Sequence, residues 1–149
     1  MTRILIVANQ TAAGQHLIDA VLKRRAEGEC EFTLLVPAEP VHASVVQGML
    51  AASVNVPQNS DGEDADYAMA ERRLRAALEA FRANGVRVTG EVGEPGPLRA
   101  IESYLKYREF DEIIVSTLDR AVSRWLHQDL PTKVHRKFNL PVTVVTADA

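Results

Sequence analysis

The sequence predicts a single-domain α/β protein, an open, mainly parallel five-stranded sheet with helices on both faces. One ground is the hydrophobic period, which alternates along the chain between β-branched runs suited to strands buried on both faces and apolar stripes at helical spacing. The other is the strict alternation of the two element types. Each crossover between parallel strands is right-handed and packs back on the sheet, so helices are distributed over both faces. A chain of 149 residues suffices for one such domain, since domains of this size bury roughly 70% of their unfolded surface without staples.

The elements follow in order. Ile4, Leu5, Ile6, Val7 and Ala8 form a central-strand run, and Leu17, Ile18, Val21 and Leu22 then recur as a helical stripe with Gly28 placed to close it. Residues 32–36 read as a second strand, ended by Pro37. A long helix over about residues 64–84 turns Ala70, Leu74, Leu78 and Phe81 inward and Arg72, Arg73, Arg75 and Glu79 to water, with Gly85 as its stop. The acidic run 61–66 before it reads as a solvated linker whose charge favours the helix start. Residues 86–89 alternate like a third strand, and the turn 93–97 opens a helix carrying Leu98, Ile101 and Leu105. Ile113, Ile114 and Val115, followed by the hydroxyls of Ser116 and Thr117, make a fourth, buried strand.

The last unit is a helix and a strand. Asp129 is a good N-cap residue, Pro131 is tolerated in the first turn, and Leu130, Val134 and Phe138 recur every four residues on one face. The helix stops near Asn139, because Pro141 cannot continue it, and Pro141 opens the strand 142–145. The apolar stretch 41–56 lies between a strand and the long helix, with Val45, Val46, Met49 and Leu50 at helical spacing. It reads as extra core or as a lid or docking surface over the crevice.

Composition narrows the function. Net charge is −3 with both signs interspersed, which gives no electrostatic footprint for nucleic acid or an anionic membrane surface. The first eight residues hold only a short apolar core, too short for a signal peptide or a membrane span. The lone Cys30 has no second cysteine to pair with and suits a reducing, cytoplasmic setting. His16, His42, His127 and His135 show no metal-ligand spacing, and no nucleophile elbow is present. No catalysis, cofactor or metal is therefore expected from the residues.

Ligands of such sheets sit outside the carboxyl ends of the strands, at the switch point. The relevant loops are 8–13, 36–46, 90–96 and 116–129. They supply Ala8, Asn9, Val36, Pro37, Ser116, Thr117, Arg120, Arg124 and Asp129 as candidate crevice residues. Trp125, in SRWLH, is expected to bury its ring under the last loop and fix its path.

The opening RILIVANQT, the VGEPGPLRAI turn into a helix, DEIIVST and the closing NLPVTVV resemble the universal stress protein family. The match spans nearly the whole chain and is weakest over residues 39–66. The resemblance implies an adenine nucleotide α-hydrolase-like sheet of strand order 3-2-1-4-5 and a homodimer through the last strand. One subgroup binds ATP through an Asp ending the first strand and a G-x2-G-x9-G-[ST] signature after the fourth. Here Asn9 stands at the Asp, and Ser116 and Asp119 stand at the first two glycines. The final Gly-[ST] pair falls at Gln128-Asp129 or Asp129-Leu130. Glycine there lets backbone N–H groups approach phosphates at a helix N-terminus. An Asp129 carboxylate capping those groups would oppose a phosphate, whereas Arg120 and Arg124 would partly offset its charge and Asn9 could hydrogen-bond a ribose or base edge. The expectation is a non-enzymatic stress-response or regulatory domain with an unidentified protein partner and ATP binding lost or weak. The alternative is an adenine-nucleotide switch with a non-glycine phosphate loop.

Overall fold

The structure, a computed structural model, describes residues 1–39, 60–119 and 123–147. Five strands, β1 (Thr2–Val7), β2 (Cys30–Pro37), β3 (Val88–Gly93), β4 (Glu112–Thr117) and β5 (Val142–Thr146), form one sheet in the order β3-β2-β1-β4-β5. Every pairing is parallel. Among the described residues the helices are α1 (Gln15–Ala26), α2 (Ser60–Ala83), α3 (Pro97–Leu105), the single turn α4 (Arg124–His127) and α5 (Leu130–Phe138).

Side-chain alternation divides the core into two layers. Ile4, Ile6, Phe32, Leu34 and Ile114 face α1 and α2, where Leu17, Ile18, Val21, Leu74 and Phe81 complete one cluster. Leu5, Val7, Leu35, Ile113 and Val115 face the opposite side, against Ala100, Ile101, Trp125, Leu130 and Val134. The central strands are thus buried on both faces, as their β-branched runs require. Arg24 of α1 forms a two-pronged ion pair with Glu112 at the start of β4, at 3.1 and 2.6 Å. Asp111 locks β4 to β1 by accepting from the Arg3 N–H at 2.8 Å and donating its own N–H to the Arg3 carbonyl.

Several expected boundaries move, each for a local reason. β3 starts later and runs through Gly93, into the segment read as turn, because pairing with β2 persists to Pro37. A Cβ on Gly90 would lie 2.6 Å from Leu74 Cδ1 and 2.7 Å from the Leu34 carbonyl oxygen, so this glycine serves close packing of α2 on the sheet. Gly85, at φ 75°, closes α2 as expected, with Val86 N–H bonding back to the Phe81 carbonyl. Gly28, by contrast, has no positive φ, and α1 ends through short Glu27-to-Arg24 and Gly28-to-Arg25 bonds.

α2 begins at Ser60, so the acidic run is helix and no linker; Asp66 is 5% exposed. Asp66, Ala70, Arg73 and Ala77 follow one another at spacings of four, three and four along one face of α2. That face turns Arg73, expected in water, toward the sheet. The stretch 41–56 lies outside the described residues, as does Arg120.

Candidate functional site

The carboxyl ends of β1 and β4 diverge at the switch point, and a crevice of about 100 Å³ opens there. It is lined by Asn9, Gln10 and Thr11 after β1, Glu39 after β2, Ser116, Thr117 and Leu118 at the end of β4, and Ser123, Arg124 and Trp125 at the start of α4. The third of the expected loops, 90–96, does not reach it. Of the candidates named from sequence, Asn9, Ser116, Thr117 and Arg124 come together in the lining. Ala8 and Val36 are fully buried core residues, and Pro37 contributes its carbonyl as an acceptor.

Asn9 is 3% exposed and its amide is engaged at both ends. Its Nδ2 donates to the Pro37 carbonyl at 2.5 Å, and its Oδ1 accepts from the Arg73 guanidinium. It therefore ties the end of β1 to the end of β2 and holds Arg73 there. The β4 hydroxyls are likewise paired inside the protein. Thr11 Oγ1 and Ser116 Oγ lie 2.6 Å apart, tying the β1 loop to β4, and Thr117 Oγ1 and Ser123 Oγ lie 2.5 Å apart, tying β4 to α4. Ser123 also caps α4, its Oγ accepting from the Leu126 N–H at 3.1 Å.

Trp125 buries its ring in the core at 6% exposure, as expected for a residue that fixes the loop's path. Glu39 lines the same crevice. Burial pushes the Glu39 carboxyl above its usual range, opposed by the neighbouring Trp125 indole N–H and by the positive charges of Arg124 and Arg73. Glu39, Arg73, Thr11 and Ser123 were not singled out from sequence. Glu39 carried a weak signal, its position directly after a strand on the ligand side of the sheet; Arg73 carried one in its spacing from Ala70 and Ala77.

Asp129 corrects an expectation. It adopts left-handed backbone, φ 56° and ψ 42°, makes no side-chain capping bond and is absent from the crevice lining. The reason is α4, a helical turn that the apolar spacing does not announce. Asp129 N–H bonds to the Leu126 carbonyl, so the residue ends α4 in the left-handed position that Asp tolerates before α5 begins. Its carboxylate does not cap the α5 N–H groups.

No family model matches the sequence, and no curated protein matches it. Solved structures do. A protein of the universal stress protein family from Burkholderia pseudomallei superposes with a TM-score of 0.65 at 15% identity, over 98% of this chain and 96% of that one. A universal stress protein in complex with cAMP gives 0.57 at 17% identity, over 96% of each chain. A universal stress protein family protein from Arabidopsis thaliana with AMP bound gives 0.57 at 12% identity, over 100% of this chain and 94% of that one. Fold and crevice define an open, doubly wound α/β domain with a crevice at the switch point. More narrowly, the fold is that of the universal stress proteins, with the strand order the resemblance implied.

Proposed function

We propose that the chain is a non-enzymatic stress-response or regulatory domain of the universal stress protein type, cytoplasmic, acting as a homodimer through β5, in which ATP binding is lost or weak. The observation that carries this reading is the crevice itself. Its volume of about 100 Å³ falls below the roughly 300–1,000 Å³ of ordinary small-molecule sites. The groups that would read a nucleotide are already committed, Asn9 to Pro37 and Arg73, and Ser116 and Thr117 to Thr11 and Ser123. The lining hydroxyls pair with one another instead of with a histidine base, so nothing in the lining assembles a nucleophile. Among the described residues no helix is long and apolar enough to cross a membrane.

The cAMP and AMP carried by proteins of this fold favour a second reading, an adenine-nucleotide switch in which arginine replaces the glycine loop. Arg124 is its best-placed residue. Native mass spectrometry of the purified protein, followed by calorimetry with ATP, separates the two. The expected result is no co-purified adenine nucleotide and no ATP dissociation constant tighter than on the order of 100 μM, about 5.5 kcal/mol. A retained nucleotide, or a constant of a few micromolar, overturns the first reading in favour of the second.

A further inference from the structure

The sheet carries a second concavity toward the amino ends of its strands. On the face that packs α3, Leu5 and Leu35 give way to Arg3, Thr33 and Glu31, with Thr89 and Glu91 beside them on β3. Tyr104 is the one residue of α3 in this lining, and the chain beyond it supplies a wall of Tyr107, Arg108, Glu109 and Phe110. Between floor and wall lies an open groove of about 620 Å³, within the roughly 300–1,000 Å³ of small-molecule sites. It shares no lining residue with the switch-point crevice.

The groove already seats one cation of the chain itself. The Arg108 guanidinium lies 4.2 Å from the centre of the Tyr104 ring, which Phe110 backs at 6.0 Å, and it pairs with Glu91 at 3.2 Å. A ring face together with a carboxylate suits an organic cation. The groove offers the same elements a second time, since Tyr107 is 83% exposed and Glu31 and Glu109 form no ion pair among the described residues. An independent observation is Thr33, which is 8% exposed and whose hydroxyl has no hydrogen-bond partner among the described residues. No enclosed side-chain polar atom among them lacks a partner, so this hydroxyl opens into the groove that Thr33 lines, where it can accept from a ligand. Charge points the same way. With Arg108 and Glu91 paired, the lining keeps Glu31 and Glu109 against Arg3, and Arg3 also stands beside Asp111, whose carboxylate accepts from its N–H at 2.8 Å.

We propose that this groove binds a slender organic polycation of the linear polyamine class. Glu31 with Thr33, and Glu109, take its ammonium groups, and its methylene chain lies against Tyr107. A bare metal ion fits poorly, because no group of three metal-binding side chains forms among the described residues. The basic segment of a protein fits less well than a polyamine, because Thr33 is recessed in the floor and a polypeptide backbone must stay outside.

Calorimetry with spermidine on the full chain tests this, near neutral pH and at about 0.1 M salt, where charges more than about 10 Å apart are screened. Magnesium chloride at matched ionic strength is the point-charge control. The expected result is saturable spermidine binding that magnesium does not displace. Tyr107→Ala or Glu31→Gln should weaken it about two- to fivefold, as for one exposed cation–π contact or ion pair, and the two together about tenfold. Glu79→Gln, on the water face of α2, should leave it unchanged. Absence of saturable binding overturns the proposal, and so does displacement by magnesium or a loss in Glu79→Gln equal to that in Glu31→Gln. A short oligolysine that binds where spermidine does not overturns it in favour of a protein partner. If Glu31→Gln fails to fold, Tyr107→Ala decides alone, since that side chain is solvated; unchanged affinity there sinks the proposal. None of these outcomes bears on the reading of the switch-point crevice.

Discussion

Asn9 is engaged at both ends of its amide, and its loss should be felt in two places at once. In Asn9→Ala the Pro37 carbonyl and the Arg73 guanidinium both lose a partner near the base of the crevice, and a buried group left unsatisfied costs about 1–3 kcal/mol. Urea denaturation should show a loss of about that size. A double-mutant cycle with Arg73→Ala should give a coupling of at least about 0.5 kcal/mol, because the two side chains share one bond; strict additivity would mean that Asn9 does not hold Arg73. These partners lie 28 and 64 positions away. A local pattern therefore shows an asparagine after a strand and nothing of what it grips. Asp129 failed as a cap for a related reason. The rule presumes extended backbone at the N-cap, and only the presence of α4 forces φ to 56° there. Trp125 and the hydroxyls of Ser116 and Thr117 were legible, since a large ring in a polar loop and polar groups ending a buried strand each need an internal partner.

Strands and helices were legible where apolar spacing and stop residues agreed. α5 matches its expected span because Pro131, the stripe of Leu130 and Val134, and Asn139 at φ 55° all point to the same ends. β3 was displaced because glycine has two uses. Gly93 opens the expected turn and Gly90 the expected loop, whereas both sit in the strand to let helices approach, α2 through Leu74 and α3 through Ala100. Gly90→Ala should therefore destabilise the protein by about 1–3 kcal/mol, the usual cost of overpacking, since the Leu34 carbonyl oxygen at 2.7 Å is backbone and cannot yield cheaply. Gly28→Ala is the matched control. Nothing lies within 4 Å of its added Cβ and its φ is not positive, so it should be neutral or gain about 0.4–1 kcal/mol through the unfolded chain. Thermal or chemical denaturation of the pair checks the contrast, and equal stabilities would mean that the strand can slide away from α2.

At the scale of the whole molecule the sheet order follows from connectivity. β2 and β3 are laid down on one side of β1, and β4 and β5 on the other, so the first and fourth strands part at the centre and the crevice falls between their ends. The same order puts β5 at an edge. Val144 shares the sheet face of Val142, two residues away, yet is 38% exposed where Val142 is packed against the core. An edge strand of valine and threonine is a template for pairing unless something covers it. A second copy of this chain would cover it with a self-complementary interface about a two-fold axis, burying Val144 of each protomer. Sedimentation at micromolar concentration should therefore find a dimer. Val144→Lys should shift it to monomer with little loss of secondary structure, because a charge on an edge discourages pairing while the solvated side chain costs the folded monomer little. A wild-type protein that sediments only as monomer would sink the dimer. A Val144→Lys protein that remains fully dimeric would instead place the interface elsewhere, away from β5.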